Sequence, residues 1–281
     1  MDTFAAAMVY VMLSRVCSLI QIFILNEFDE KKMYPNQKAI NELKRLEKLC
    51  LNNNLTEWEQ DVKAIKIYSL NCRSLKKHYQ DIKSDSLILQ SSIICLQETW
   101  LDDDEDSADY EIPSYETHKN SYGPGKGILI YFKKDTFTHI TDVKQELMQL
   151  SKFRSPMIDV ITLYRSQEGK YEILNSLIEK LVTRKKPTLI IGDFNFCYHE
   201  QSTLTKRFLE ATHYTQLVTE PTHIEGRILD QAYMIDRRKN LQCLAEVHSK
   251  YFTDHKGIAV LIKVKVKKEK VHNLIQIFQE N

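Results

Sequence analysis

The chain has 281 residues, 43% hydrophobic and 27% charged, the make-up of an ordinary folded protein with enough length for a large core. Its 39 Lys and Arg against 38 Asp and Glu leave a formal net charge of +1. That balance excludes a histone-like polycation, but not a nucleic-acid enzyme whose basic groove is offset by acidic residues elsewhere.

The first long apolar run is AAAMVYVMLSRVCSLIQIFIL, Ala5 to Leu25. Its hydropathy suits a membrane helix, yet Arg15 sits mid-span and Ser14, Ser18 and Gln21 interrupt it, so a core element is the preferred reading. A charged helical stretch, KAINELKRLEKLC, leads into a polar, asparagine-rich linker at 51–62. Residues 63–266 read as one compact domain, and 267–281 as a frayed, charged tail. Within the domain, AIKIYSL (64–70) alternates like a strand, and 75–89 places Leu75, Tyr79, Ile82 and Leu89 near helical spacing. SIICLQ (92–97), GILIYF (127–132) and MIDVITLY (157–164) are further strands. YEILNSLIEKLVTRK (171–185) is an amphipathic helix that stops before Pro187. TLIIGDF (188–194) is a strand and 204–212 a helix. RILDQAYMI (227–235), CLAEVHSKYF (243–252) and GIAVLIKVKV (257–266) close the series as strands. The run Lys263 to Lys270 suits an edge strand protected by lysines better than a DNA site. Many strands, few helices and no GxGxxG predict a layered α+β or sandwich arrangement rather than a dinucleotide fold. The six cysteines form no CxxC cluster, which excludes zinc-site spacing and favours a reducing compartment.

Polar residues recur where the apolar strands end. Asn71 ends AIKIYSL, Glu98 follows SIICLQ, Tyr164 and Arg165 end MIDVITL, and Asp193 and Asn195 end TLIIG. Asp230 interrupts RILDQAYMI, and Asp254 and His255 precede the last strand. Strand ends on one side of a sheet would gather these groups in a cleft: carboxylates for a hard cation, amides for phosphate or water, and a histidine for electrostatic or acid–base work. Each alone has a plainer reading. GDFN suits a turn, Asn71 and Asp254 suit local caps, and Tyr164 suits the core. Asp230 is harder to dismiss, because a carboxylate inside an apolar strand is costly unless paired. Arg73, Lys76, Lys77, Lys126, Arg165 and Arg227 are candidate DNA contacts, each equally readable as solvated surface.

In order, IYSLNCRSL, CLQETWL, TLYRS, LIIGDFNF, LDQAY and TDHKGI resemble the motifs of the endonuclease/exonuclease/phosphatase superfamily, which includes DNase I, apurinic endonucleases and the endonucleases of non-LTR retrotransposons. The resemblance covers about residues 63–266, and ETWL with the PTH…LDQ pairing leans toward the transposon-encoded branch. It implies a DNase I-like four-layer α/β sandwich of two packed mixed sheets flanked by helices. It further implies hydrolysis of a DNA phosphodiester with Mg²⁺, or Mn²⁺ in its place, by a nuclear, monomeric enzyme. Carried over, Glu98 is the main metal ligand with Asn71 nearby and Asp254 a metal-side carboxylate. Asp193 and Asn195 handle the attacking water, His255 contacts the scissile phosphate held by Asp230, and Tyr164 bonds the phosphate or leaving group. One departure is Arg73, which stands where many members carry an acidic residue. Residues 1–50 are similar, through YVMLSRV with Arg15, to the last motif of Helitron-type superfamily 1 helicases. No phosphate loop accompanies that motif, so the segment reads as a helicase remnant. The competing readings are a phosphatase of the same superfamily and an inactive relic.

Overall fold

The computed structural model describes residues 64–102, 104–121, 126–145, 147–183, 186–199 and 213–265. The expectations for the helicase-like segment and apolar run, the 51–62 linker, the 204–212 helix and the tail lie outside the described residues.

Two six-stranded mixed sheets pack face to face. The first holds β1 (Ile65–Asn71), β2 (Ile93–Gln97), β3 (Glu116–Asn120), β4 (Ile128–Phe132), β11 (Leu241–His248) and β12 (Gly257–Val264), in the order β11-β12-β1-β2-β4-β3. The second holds β5 (Thr138–Gln145), β6 (Met148–Arg154), β7 (Asp159–Arg165), β8 (Thr188–Asp193), β9 (Thr215–Gln216) and β10 (Asp230–Ile235), in the order β5-β6-β7-β8-β10-β9. Each sheet carries one parallel pair at its middle, β1 with β2 and β7 with β8, and both pairs are joined through helix. Between β1 and β2 run α1 (Leu75–Ser84) and α2 (Ser86–Leu89); between β7 and β8 runs α3 (Tyr171–Leu181).

Alternation builds the core. Every second residue of the central strands faces the other sheet: Ile65 and Ile67, Ile93 and Cys95, Ile128 and Ile130, Leu189 and Ile191, Ala232 and Met234, Ile258, Val260 and Ile262 form one buried cluster. The opposite face of the second sheet takes α3, whose Leu174, Leu177, Ile178 and Leu181 fall at i, i+3, i+4 and i+7 and pack on Leu150, Ile161, Leu163, Ile190 and Tyr233. The helix expected over 75–89 is split at Asp85. This residue is extended (φ −80°, ψ 108°), and its carboxylate accepts from the Leu87 and Ile88 amides at 3.0 and 3.2 Å, capping the next turn. α3 ends at Leu181, short of the expected 185, because Val182 turns extended.

Four strands were not expected from the sequence: β3, β5, β6 and the two-residue β9. On β6, Lys152 and Arg154 lie on the helix-bearing face, where the fully buried Asp159 pairs with them at 3.1 and 2.8 Å, a partner set by β6–β7 pairing. Lys263 lies on β12, between β11 and β1, so the expected edge strand there is an interior one; β11 holds the edge. No helix among the described residues is long and apolar enough to cross a membrane.

Candidate active site

The inward-facing rows change character at one end of the sandwich. On β1 the row Ile65, Ile67 ends in Ser69 and Asn71. On β8 the row Leu189, Ile191 ends in Asp193. On β7 Val160 shares its face with Tyr164, and on β10 Asp230 shares its face with Ala232 and Met234. β10 runs antiparallel to β8, so its first residue, Asp230, stands opposite the last of β8, Asp193. Glu98 follows directly on β2. Thus Asn71, Glu98, Tyr164, Asp193 and Asp230 are brought to one end of the inter-sheet space.

Hydrogen bonds join them. The Asn71 side-chain amide donates to Glu98 Oε1 at 2.9 Å and to Asp193 Oδ2 at 2.8 Å, linking the two sheets across 122 residues of chain. Asn195 donates its backbone amide to Asp193 Oδ1 at 2.8 Å and its side chain to Oδ2 at 3.1 Å. This geometry places Asn195 in the left-handed region (φ 53°), which asparagine tolerates. Glu98 also takes a left-handed conformation (φ 49°), and its carboxylate lies near the Tyr164 phenol. Such strain concentrates where surrounding structure over-determines a functional side chain.

His255 enters from the loop before β12. Its Nδ1 lies 2.8 Å from Asp230 Oδ2; facing a carboxylate, Nδ1 carries the proton, and Nε2 is left for a substrate. Thr222 Oγ accepts from the Leu229 and Asp230 amides at 3.0 and 2.9 Å, and Thr253 Oγ donates to the Asn71 carbonyl at 3.0 Å, so both sides of the pair are tied to the frame. His223, one residue on from Thr222, joins by a β-bridge to His255, sets its ring edge against that imidazole, and bonds Asp254 at 3.3 Å. His223 was missed in the sequence, although it ends the PTH segment already singled out. Asp254 also pairs with Arg73.

The electrostatics follow from burial. Fully buried Asp193 is pushed well above the usual carboxylate range, first by desolvation and then by the Asp230 and Glu98 carboxylates, against the opposing pull of His255 and Asn71. Burial disfavours the His255 imidazolium, but Asp230 beside it, with Asp193 and Asp254, more than offsets this and raises it to about 9. Burial, then the Glu98 and Asp193 carboxylates, push the Tyr164 phenol up. Desolvation opposes charge on Asp254, yet His255, Arg73 and His223 hold it below its ordinary value. The site therefore has more oxygen charge than donors. Asp230 Oδ1 is buried without a partner among the described residues, and the oxygens of Glu98, Asp193 and Asp230 with Asn71 are the donor set a hard divalent cation takes.

The candidate DNA contacts divide. Arg73 is half exposed at the rim, though paired with Asp254; Lys126 lies on the loop whose carbonyl accepts from Trp100; Arg227 pairs with Glu225 beside His223. Lys76 stands on α1, paired with Glu105 at 2.9 Å, and the neighbouring Lys77 lies over the Trp100 ring. Arg165 is not a DNA contact. It is 2% exposed, and its guanidinium donates to the carbonyls of Gly169, Phe194, Asn195 and Gln167. Its neighbour Tyr164 faces the cleft, so strand alternation turns Arg165 to the far face, where it braces the GDFN turn.

A family model described as the Endonuclease/Exonuclease/phosphatase family matches residues 68–255. No curated protein sequence matches the chain. Among solved structures, an AP endonuclease from Archaeoglobus fulgidus is similar at 16% identity and a TM-score of 0.56, covering 72% of this chain and 100% of its own. The endonuclease domain of TRAS1, a telomere-specific non-LTR retrotransposon, gives 12% identity, a TM-score of 0.56 and the same coverages, 72% and 100%. A 3′ phosphatase from Neisseria bound to a product DNA hairpin gives 15%, 0.55, 72% and 100%. These likenesses establish a DNase I-like fold of two packed mixed sheets.

Proposed function

The chain belongs to the endonuclease/exonuclease/phosphatase family, and from that premise we propose that it is a Mg²⁺-dependent phosphodiesterase that nicks DNA. The observation that carries the reading is the hydrogen-bonded chain Glu98–Asn71–Asp193–Asn195 set beside the His255–Asp230 pair, with an excess of buried oxygen charge between them. Glu98 and Asn71 would hold the cation, which when bound stabilises the negative charge that builds on phosphate oxygens. Asp193, fixed by three amide donors from Asn71 and Asn195, orients the water and takes its proton as the water oxygen attacks phosphorus in line; its raised proton affinity suits that task. His255, held by Asp230, donates from Nε2 to a non-bridging oxygen, and the Tyr164 hydroxyl lies on the same cleft for the leaving oxygen. Arg73, Lys126 and Arg227 flank the cleft from loops and suit phosphate contacts on either side.

ETWL and PTH…LDQ support the transposon-encoded branch, and YVMLSRV supports a helicase origin for residues 1–50. A nuclear, monomeric enzyme follows from the same reading. Removal of 3′ phosphates from DNA ends is a second reading, favoured by the likeness to the Neisseria 3′ phosphatase. The test is nicking of supercoiled plasmid by the full chain, with Mg²⁺ or EDTA, beside Asp193→Asn. Nicking that requires Mg²⁺ and vanishes in the variant supports the proposal. Folded protein that leaves plasmid intact but clears a 3′-phosphorylated hairpin moves the assignment to end-processing.

A further inference from the structure

At one lateral margin of the two sheets, where β3 and β5 are the edge strands, three side chains outside the active site converge. His118 comes from β3, the edge strand of the first sheet; His139 and Asp142 come from β5, the edge strand of the second. His118 Nε2 lies 2.8 Å from Asp142 Oδ2, and His139 Nε2 lies 3.1 Å from Asp142 Oδ1. The two imidazoles are stacked with centroids 3.8 Å apart, and one donor atom from each of the three residues fits within 4.8 Å of the others.

The backbone is shaped for this convergence. Residues three apart on a regular strand point to opposite faces. On β5 the register slips between His139 and Thr141, so His139 stands opposite Phe153 and Asp142 opposite Ser151. Phe153 and Ser151 are two apart on β6 and share the inward face. The bulge therefore turns both His139 and Asp142 toward His118 across the seam, a use to which bulges are put where a side chain must be re-aimed. Asp142 is itself positioned: Ser151 donates to its Oδ1 at 2.6 Å, and Asn120 donates to Ser151 at 3.0 Å.

We propose that His118, His139 and Asp142 form a binding site for a transition-metal cation of the Zn²⁺ class, which clamps the free edges of the two sheets. Two imidazoles and a carboxylate suit Zn²⁺ rather than Mg²⁺. Ligand bonds of about 2.0–2.1 Å in a tetrahedron set donors roughly 3.3 Å apart, and the donors here, one from each residue within 4.8 Å of the others, reach that spacing by small side-chain rotations. The three side chains are each about a quarter to a third exposed (23%, 31% and 24%), which leaves the fourth position to water. On binding, each Nε2–H is replaced by an Nε2–metal bond. A neutral ring then carries its proton on Nδ1, and a charged ring releases one proton to solvent. Ser151 and Asn120 are the outer partners that orient the carboxylate.

The experiment uses the full chain stripped with chelator and titrated with Co²⁺, whose four-coordinate complexes absorb visibly where six-coordinate ones are faint. The expected result is such absorption in wild type and in Asp193→Asn, its displacement by Zn²⁺, and its loss in His118→Gln and His139→Gln with the circular dichroism unchanged. Ser151→Ala should weaken Co²⁺ by about 10–100-fold, as removal of an outer partner does. Should His118→Gln unfold, His139→Gln and Ser151→Ala carry the test alone. Wild type without the absorption overturns the site, leaving a hydrogen-bonded latch. Absorption that survives both histidine variants, or that disappears in Asp193→Asn, places the cation elsewhere and equally overturns it.

Discussion

Replacing Gly192 with alanine would put a Cβ 2.0 Å from the Leu163 carbonyl oxygen, 2.9 Å from its carbon and 3.0 Å from its nitrogen. Gly192 has φ +148° and lies between Leu163 on β7 and Gln231 on β10. Contacts under 3.0 Å are essentially never adopted by a real Cβ, and the obstacle is backbone in a buried sheet, so β7 and β8 must part by about 1 Å. The residues next along, Tyr164 and Asp193, are the ones the site needs in register. We expect Gly192→Ala to cost about 4 kcal/mol or more, a large share of the roughly 5–15 kcal/mol that holds a domain together. Gly226 supplies the control. Its φ is also positive, at +80°, but a Cβ there meets nothing within 4 Å, so Gly226→Ala should cost only the left-handed strain of about 1–2 kcal/mol. Urea unfolding of both variants and wild type reads the difference from the midpoints. A Gly192→Ala variant no less stable than Gly226→Ala would refute the close approach of β7 and β8 at the site.

Asp159, held near a pKa of 2 by Arg154 and Lys152 against the desolvation that opposes its charge, lies below its ordinary 3.8; it contributes about 2 kcal/mol above pH 4, lost as pH falls through 2. Asp159→Asn should flatten that acid limb in urea midpoints taken against pH, and cost about 3–5 kcal/mol at neutrality by stranding Lys152. His255 is raised to about 9, so its imidazolium, and the stability it brings, persists from low pH and fades as pH rises through 9; Asp230→Asn should draw the alkaline limb of the nicking rate below pH 7, and an unmoved limb would count against the pairing. Arg165→Ala should lower stability by about 2–4 kcal/mol while leaving the salt dependence of DNA binding unchanged, since no phosphate contact is lost; a shallower salt slope in a binding titration would restore Arg165 to the DNA surface.

The apolar cores of β1, β2, β4, β7, β8, β10 and β12 could be read from local pattern because each is a short, nearly continuous apolar run, rich in isoleucine, leucine and valine in all but β10. Asn71, Glu98 and Asp193 followed from those strands, since each stands where the apolar row stops, whereas Asp230 was read as interrupting a strand that in fact begins with it. Arg165 was misplaced although the same alternation, applied one residue past Tyr164, separates the two faces. β5 and β6 were hidden for a different reason. Their lysines, arginine and histidine suit a strand only once their partners are in place: Asp159 arrives through β6–β7 pairing, and Asp142, on β5 itself, shares a face with His139 only through the bulge. His223 carried no local signal beyond its place in PTH; its role beside His255 depends on a bridge between loops 32 residues apart.

The Asn71 side chain closes one bond within its own sheet, to Glu98, and one to Asp193 in the other, and His255 must still arrive to pair with Asp230. A ribosome that has released the chain only as far as β8 has therefore made Asn71, Glu98 and Asp193 but no imidazole to balance their charge. Truncated products ending between Asp230 and His255 carry all three carboxylates without the histidine that completes the site. The hydrolase proposed here would therefore be silent in any copy that ends before His255, because the histidine that completes the site is supplied just ahead of the last strand.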